Sequence, residues 1–408
     1  MVFANFAGMK RMNMKKYMIL TAAALLLAGA SASAQTRQFK LGQWVEIQNA
    51  ILGELSRSYV DTLPVSRMQL AGIDAMLEEL DPYTVYVPEE EQEDFEMMIG
   101  KTYGGIGAVI YKPDKDGNVL INEPYAGSPA VKAGLQSGDQ LLEIDGVSTH
   151  GLDASQCSER MKGKPGTVVH FKVQKVHTGE IVGIDVTRER IHLPDIEYHG
   201  MLNESDGYIL QTGFTENVSN ELRNAYNDLK KQGMKRLVLD LRGNGGGLMA
   251  EAINIVSLFV PKGSLVVSQR GRDDADYREY KTVREPIDTE IPIIVLVDGG
   301  SASSSEIVTG ALQDLDRATV MGKRTYGKGL VQTIRPLPYN GQLKVTTSKY
   351  YTPSGRCVQA IDYSRRDEDG SVAFIPDSLT HEFKTLHGRT VRDGGGITPD
   401  VELKGTSY

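Results

Sequence analysis

Ile291-Pro-Ile-Ile-Val-Leu-Val297-Asp-Gly-Gly-Ser-Ala-Ser-Ser-Ser-Glu306 is the stretch that decides the fold. The apolar run 291–297 reads as a buried parallel strand, and Asp298-Gly299-Gly300 breaks it. Ile307, Val308, Ala311, Leu312 and Leu315 then recur at helical spacing, which predicts a helix starting among the serines. Unpaired N–H groups at a helix start favour developing negative charge, so a hydroxyl there suits a nucleophile. Capping the helix is the commoner use of serine at that position. The stretch alone leaves both readings open.

Strand, glycine loop and helix recur upstream. Arg236-Leu-Val-Leu-Asp-Leu241 is a second buried strand, running into Arg242-Gly-Asn-Gly-Gly-Gly247 and a helix over 248–259. The repetition argues for a parallel-type sheet with crossover helices, an α/β reading from about 191 onward. Strands are expected at 208–214, 330–334, 346–351 and 357–361, and a helix over 218–229 closed by Gly233. The charged stretch 270–285 reads as a surface excursion. The end, Gly394 to Asp400, reads as loop, with no core-forming pattern after it.

The first half divides differently. Residues 39–98 read as helical, with amphipathic runs over 45–55 and 68–80 and a stop at Asp81-Pro82. The acidic stretch 89–96 reads as a solvated helix face. A β-rich region opens at Tyr103-Gly104-Gly105-Ile106-Gly107, with strands at 108–111, 119–123 and 140–144, a helix at 152–161 and a hairpin over 167–190. Its Gly127-Ser-Pro-Ala…Ala133-Gly-Leu…Gly138-Asp…Leu141-Leu-Glu-Ile-Asp-Gly146 pattern resembles a PDZ domain spanning 99–190. Amides at Gly105, Ile106 and Gly107 are expected to hold a chain-terminal carboxylate, and an extended peptide to add as a strand. The competing reading is a glycine turn with structural duty alone.

With 408 residues, 40% hydrophobic and 24% charged, the chain has room for two or three soluble domains. Net charge is −8 with no basic block beyond the first residues, which speaks against a nucleic-acid partner. Lys10, Arg11, Lys15 and Lys16 precede an apolar run over 18–28 and Ala32-Ser33-Ala34. That order reads as a secretory signal peptide over 1–34, cut after Ala34, and the chain as exported to a bacterial periplasm or cell envelope. A retained anchor is the alternative, but the run is short for a span. The true start is expected at Met9, Met12 or Met14. Cys157 and Cys357 match no disulfide or metal framework and read as unpaired thiols.

Several motifs mislead. Gly322 to Gly329 almost spells a phosphate-binding loop, but lacks Ser or Thr after the lysine and precedes a strand-like run. The loop 243–247 lacks G-x-G-x-x-G, although its glycines could bring amides close to a reacting carbonyl. His381-Glu382 has its next histidine too far away for a zinc motif, so neither metal nor cofactor is expected.

A serine nucleophile also needs a base. All seven histidines lie outside 291–332, though folding could bring one near, and no G-x-S-x-G elbow surrounds Ser303. Asp314 lies three helical turns from Ser303, roughly 16 Å, and reads as structural or surface. Lys328, between two glycines, is the remaining candidate. Burial must bring its pKa from about 10.4 to near 7 or 8, a difference of roughly 4 kcal/mol. A flexible surface lysine is the ordinary alternative.

Taken together, Val297-Asp-Gly-Gly-Ser-Ala-Ser-Ser-Ser-Glu-Ile307, Gly310-Ala-Leu-Gln-Asp314, Arg317-Ala318, Tyr326-Gly-Lys-Gly-Leu-Val-Gln332, Asp240-Leu-Arg-Gly-Asn-Gly-Gly-Gly247 and the final Gly-Gly-Ile-Thr-Pro-Asp400 resemble the C-terminal processing peptidases. These are tail-specific serine proteases carrying a PDZ domain. The resemblance implies an α+β/α/β multidomain chain: an N-terminal helical region (35–98), a PDZ β-barrel-like domain (99–190) and a crotonase-like ββα-type α/β protease core with cap (191–408). It implies Ser303 as nucleophile, Lys328 as general base and Gln332 as the residue orienting the lysine. Amides of Ser304 and Gly246 would form the oxyanion hole. The family usually has alanine where this chain has Ser304; a backbone amide survives that change. Protein or peptide C-termini, unstructured and largely apolar, are the implied substrates. Homo-oligomerisation and an adaptor protein are further partners it allows, although no helical tail follows Asp400 here. Two rivals stand beside this reading, a noncatalytic PDZ-type peptide-binding scaffold on a protease-like fold and an amidase or esterase for small substrates.

Overall fold

The computed structural model describes residues 38–92, 95, 100–114, 117–367 and 370–403. It divides into two compact units that meet between Ile73 and Asp74. The stretch 1–34, read from the sequence as a signal peptide, lies outside the described residues, as does part of the acidic stretch 89–96, of which Glu89–Glu91 forms a 3-10 turn. The first unit holds helix α1 (38–58) and the start of α2 (Val65–Glu78). Along α1 the expected amphipathic run is present, with Trp44, Val45 and Ile51 exposed.

In the second unit, the chain turns after α2 at Asp81, whose carboxylate accepts the N–H groups of Tyr83 and Thr84, both at 2.9 Å. This Asx-type turn leads into the short strand β1 (Val85–Val87). The β-rich region follows as β2 (Thr102–Gly105), β3 (Ala108–Tyr111), β4 (Val119–Pro124), the short helix α3 (Pro129–Lys132), β5 (Gln140–Ile144) and β6 (Val147–Ser148). Helix α4 (Ala154–Met161), β7 (Val168–Gln174), β8 (Ile181–Thr187) and β9 (Glu189–His192) complete it. Asp153 opens α4 with a capping box: its carboxylate takes the Gln156 N–H at 2.8 Å and the Gln156 side chain takes the Asp153 N–H at 2.9 Å. The sheet order is β3-β4-β5-β7-β8, and alternate residues such as Val169, Phe171 and Val173 bury one face. Cys157 sits in this core, Cys357 lies far along the chain, and both are free thiols. With β3 at the edge of the sheet, its backbone is left for a further strand.

The remaining chain runs β10 (Ile196–Met201), β11 (Asp206–Gln211), α5 (Val218–Lys231), β12 (Arg236–Asp240), α6 (Met249–Val256), β13 (Leu265–Arg270) and β14 (Arg278–Lys281). It continues as β15 (Ile293–Val297), α7 (Ser304–Asp314), β16 (Thr319–Gly322), β17 (Leu330–Pro336) and β18 (Gln342–Tyr351). The last strands are β19 (Ile361–Arg366), β20 (Val372–Phe374), β21 (Glu382–Lys384), β22 (Thr390–Arg392) and β23 (Val401–Glu402). A six-stranded sheet, β10-β11-β12-β15-β16-β23, is parallel from β11 onward, with β10 antiparallel at one edge. The repeated strand–loop–helix pattern is its origin. The second, antiparallel sheet has the order β1-β18-β13-β14, with β17 also pairing with β18.

Four expectations need correction. The region 39–98 is not helical throughout, because after the turn at Asp81 the chain forms β1, which pairs with β18, and a three-residue strand carries no pattern of its own. The charged stretch 270–285 lies at the surface as expected, but it contains β14, an edge strand on β13 that turns its charges to water, so composition hid the pairing. Residues 357–360 form no strand; Cys357 makes a single bridge to Tyr351, and the strand starts at Ile361. Gly394 to Asp400 is loop as expected, but core and sheet do not end before it. Ile397 is fully buried in the main core, and β23 adds to β16 in parallel. A lone apolar residue and a two-residue strand carry no periodic signal.

Asp314 proves structural and buried, one of the two readings it was given. Its carboxylate meets Arg356 at 2.7 Å with both side chains 1% exposed, and it also accepts from Thr352 Oγ1 at 2.5 Å and Ser354 N at 3.0 Å. Removing one partner strands the other charge, which typically costs about 3–5 kcal/mol. Asp314→Ala is therefore expected to lower unfolding free energy by about that amount in urea titration, whereas the exposed Arg57–Glu54 pair should contribute almost nothing measurable.

Candidate active site

β12 and β15 are neighbouring parallel strands, so the loops that follow them leave the same edge of the sheet. This C-terminal edge is where open α/β sheets place their sites. The two loops are stitched together. Gly243 N–H donates to Asp298 Oδ1 at 2.9 Å, and Ala302 N–H donates to the Asn244 carbonyl at 3.0 Å. Asn244 is fully buried, its side chain donating to the Gln211 carbonyl at 2.8 Å and accepting the Gly246 N–H at 2.9 Å. Gly246 has a φ of +98°, and a Cβ there would lie 2.8 Å from the Ser303 Cβ and 2.9 Å from the Ser304 nitrogen. Only glycine allows so close an approach.

The four serines part company here. Ser301 Oγ donates to the Leu241 carbonyl at 2.7 Å, Ser304 Oγ to the Gly247 carbonyl at 2.8 Å and Ser305 Oγ to the Asn244 carbonyl at 2.9 Å. All three are buried and hold the loops together. Ser303 is partly exposed; it forms a capping box with Glu306, and its hydroxyl donates to no acceptor among the described residues. Its backbone lies at φ 56°, ψ −114°, a region that costs a side-chain-bearing residue about 1–3 kcal/mol. The conformation is held from both sides: Ser303 N–H donates to Glu306 Oε2 at 3.0 Å, and its carbonyl accepts from Tyr350 Oη at 3.2 Å.

Glu306 is the residue that sequence reasoning missed, although it stood inside the quoted motif. It is fully buried, and its carboxylate accepts four hydrogen bonds. Besides Ser303, these come from Thr325 Oγ1 at 2.6 Å, Gly327 N at 2.7 Å and Lys328 N at 2.8 Å. Burial pushes its pKa up, and the four donors oppose that rise. Glutamate three residues after Ser303 was a capping-box signal, but nothing local indicates that the same carboxylate also gathers the 325–328 loop.

Ser303, Ser304, Gly246, Lys328 and Gln332 all line one cavity of about 440 Å³, and none of the seven histidines does. Lys328 is half-buried. Its amine lies 4.4 Å from the centre of the Tyr83 ring, a cation–π contact, and makes no hydrogen bond among the described residues. Burial first, and the nearby Lys344 second, bring its pKa down to about 8, against the opposing pull of Glu306 and Asp81. The Gln332 amide donates to Thr346 Oγ1 at 3.1 Å, not to the lysine. The Ser304 N–H has no partner among the described residues, whereas the Gly246 N–H is taken by Asn244.

A second cleft, about 1020 Å³, lies between edge strand β3 and helix α4. Ile106 lines it, with Gly105 and Gly107 on either side in sequence. Gly107 has φ +73°, and a Cβ there would meet the Ser128 Cβ at 2.6 Å.

The fold and site thus define a serine-centred α/β core joined to a PDZ-like module, and comparison with known proteins extends this. The model of Peptidase family S41 matches residues 206–364, and a PDZ domain model matches residues 120–175. A Carboxy-terminal-processing protease of Bartonella bacilliformis is 36% identical over 76% of this chain and 71% of its own length. A Probable CtpA-like serine protease of Staphylococcus aureus is 35% identical over 74% of this chain but only 60% of its own. Among solved structures, a photosystem II D1 C-terminal processing protease is 26% identical, with 88% of this chain and 86% of that chain covered and a TM-score of 0.45. The chain belongs to peptidase family S41. It is a serine-type peptidase with a PDZ domain as part of the enzyme, which sets aside the noncatalytic scaffold.

Replacing Glu306 with glutamine turns two of its four acceptor positions into an NH₂ group facing N–H donors. Buried donors left unsatisfied cost about 1–3 kcal/mol each. Glu306→Gln should lower the unfolding free energy by at least about 2 kcal/mol in denaturant titration, and with it peptidase activity.

Proposed function

We propose that Ser303 and Lys328 form the catalytic dyad of an exported endopeptidase acting near the unstructured, apolar C-termini of other proteins. The observation that carries this reading is the contrast among the serines: of the four, only Ser303 has a hydroxyl that donates to no acceptor among the described residues, at the cavity that also receives a half-buried amine without an ion pair among them. In acylation, Ser303 Oγ attacks the scissile carbonyl carbon and its proton passes to neutral Lys328 Nζ. The oxyanion is held by the Ser304 N–H and by the Gly246 N–H, once the latter leaves Asn244. The C–N bond then breaks and Lys328 returns the proton to the leaving amine. Water, deprotonated by the same lysine, hydrolyses the ester to a carboxylate and regenerates Ser303. For this the amine must turn from the Tyr83 face toward Ser303, a tightening common between free and substrate-bound enzymes. Gln332, four residues further on, would fix the rotated amine through its side-chain oxygen.

The name of the Bartonella relative supports carboxy-terminal processing as the activity, and the PDZ cleft supports capture of a chain end. Amides at Gly105, Ile106 and Gly107 would receive the terminal carboxylate, while the peptide pairs with β3. The N-terminal charge, apolar run and Ala-x-Ala support export to the periplasm or cell envelope.

Ser303→Ala and Lys328→Ala should each reduce degradation of an unfolded, apolar-tailed polypeptide by at least about 10³-fold. Wild-type cleavage by either variant would defeat the dyad. The neutral amine is the active form, and its pKa is lowered to about 8. kcat/KM should therefore rise with pH, with a midpoint near 8. Titration of the full chain with a tail peptide should show weaker binding when its C-terminus is amidated; equal affinity would exclude carboxylate capture.

A further inference from the structure

The cavity beside Ser303 is lined by three ammonium groups, Lys101, Lys328 and Lys344, and by no carboxylate. Lys101 is neutralised by Asp195 at 2.8 Å. The other two form no ion pair among the described residues. Lys344 comes from β18, where its register partners are Ile334 of β17 and Val85 of β1. Side chains two apart on a strand share a face, so Lys344 and Thr346 point the same way as their partners Ile334 and Gln332. Gln332, Ile334 and Lys344 all line the cavity, so that face is turned toward it. Lys344 thus enters the same cavity from the antiparallel sheet, with its amine 5.8 Å from the centre of the Phe95 ring.

We propose that Lys344 is a positioning residue for the peptidase reaction: as the charged member of a lysine pair in one cavity, it keeps the Lys328 amine neutral and able to accept the Ser303 proton. This rests on the Ser303–Lys328 reading and adds to it a residue that touches neither the nucleophile nor the scissile bond. Two ammonium groups in a low-dielectric cavity repel, so the pair gives up one proton early and holds the other. Lys328 bears that repulsion on top of its own burial, while burial alone lowers Lys344. The remaining charges around Lys328 oppose the effect: Glu306 from α7 and Asp81 from the turn before β1 both favour its protonated form. Tyr350 at the cavity and Tyr83 against the Lys328 amine are neutral at working pH, their pKa values pushed up by burial. β1 and β17 place only apolar register partners beside Lys344, and no carboxylate pairs with it among the described residues.

The test compares pH profiles of kcat/KM for the wild-type chain, Lys344→Met and Lys344→Arg on one unfolded, apolar-tailed polypeptide. Loss of the charge in Lys344→Met should move the rising limb upward by at least half a pH unit. That is about a threefold or greater loss at neutral pH, recovered above the new midpoint. Lys344→Arg, which keeps the charge, should hold the wild-type midpoint or lower it. An unmoved midpoint in Lys344→Met would overturn the proposal, as would a loss equal at every pH, which a packing or substrate contact would produce. Should the methionine variant not fold, judged by its thermal transition, Lys344→Gln removes the same charge and is read the same way. Lys328→Ala is run alongside: full activity there would defeat the dyad itself, whereas an unmoved profile at Lys344 defeats only the lysine pair.

Discussion

A single buried carboxylate sets the geometry on which the site depends. Glu306 sits in the first turn of α7 and spends both oxygens on groups from two separate stretches of chain, the strained Ser303 and the 325–328 loop. An anion at a helix N-terminus is favoured by the helix dipole, and a buried one is tolerated only when hydrogen bonds replace its water. Four donors do so here. The same bonds that make Glu306 tolerable therefore fix how far the nucleophile's backbone stands from the lysine's. Neither partner could be positioned by its own loop, because a glycine-flanked segment such as 327–329 has little conformational preference.

Around that carboxylate, hydroxyls do work that apolar packing cannot. Ser301, Ser304 and Ser305 each tie the nucleophile loop to carbonyls of the loop after β12. Close approach of two backbones at Gly246 leaves no room for side chains, so hydrogen bonds are the available adhesive. A serine-rich sequence is thus mostly scaffold. The reactive hydroxyl is recognised by being left out of the scaffold, and its positive φ turns it toward the cavity instead of toward its neighbours.

The arrangement also separates two tasks of electrostatics. Negative charge is buried and saturated below the nucleophile, whereas positive charge lines the cavity above it. Lys328 meets the face of the Tyr83 ring and finds no carboxylate within ion-pairing distance among the described residues. Had Glu306 faced the amine directly, the ammonium form would have been favoured and the lysine lost as a base. Its oxygens are instead occupied by three backbone amides and the Thr325 hydroxyl, so it orients the lysine loop without fully neutralising the cavity.

Much of this was legible in the chain. Apolar runs ending in glycines at 241–247 and 297–300 determined two parallel strands with crossover helices, since burial of both faces demands continuous apolar strands. The resemblance carried by the motifs over 297–332 implied Ser303 and Lys328, whereas composition and spacing alone left the four serines open. Which serine keeps its hydroxyl free was beyond sequence, because the acceptors of the other three lie about 57–61 residues away. The extent to which burial lowers Lys328, the reach of Glu306 to residue 328 and the arrival of Lys344 from β18 were likewise decided only by the tertiary structure. Local pattern records which face of an element is apolar; hydrogen-bond partners and electrostatic neighbours are set by segments distant in the chain, where no period or spacing links them.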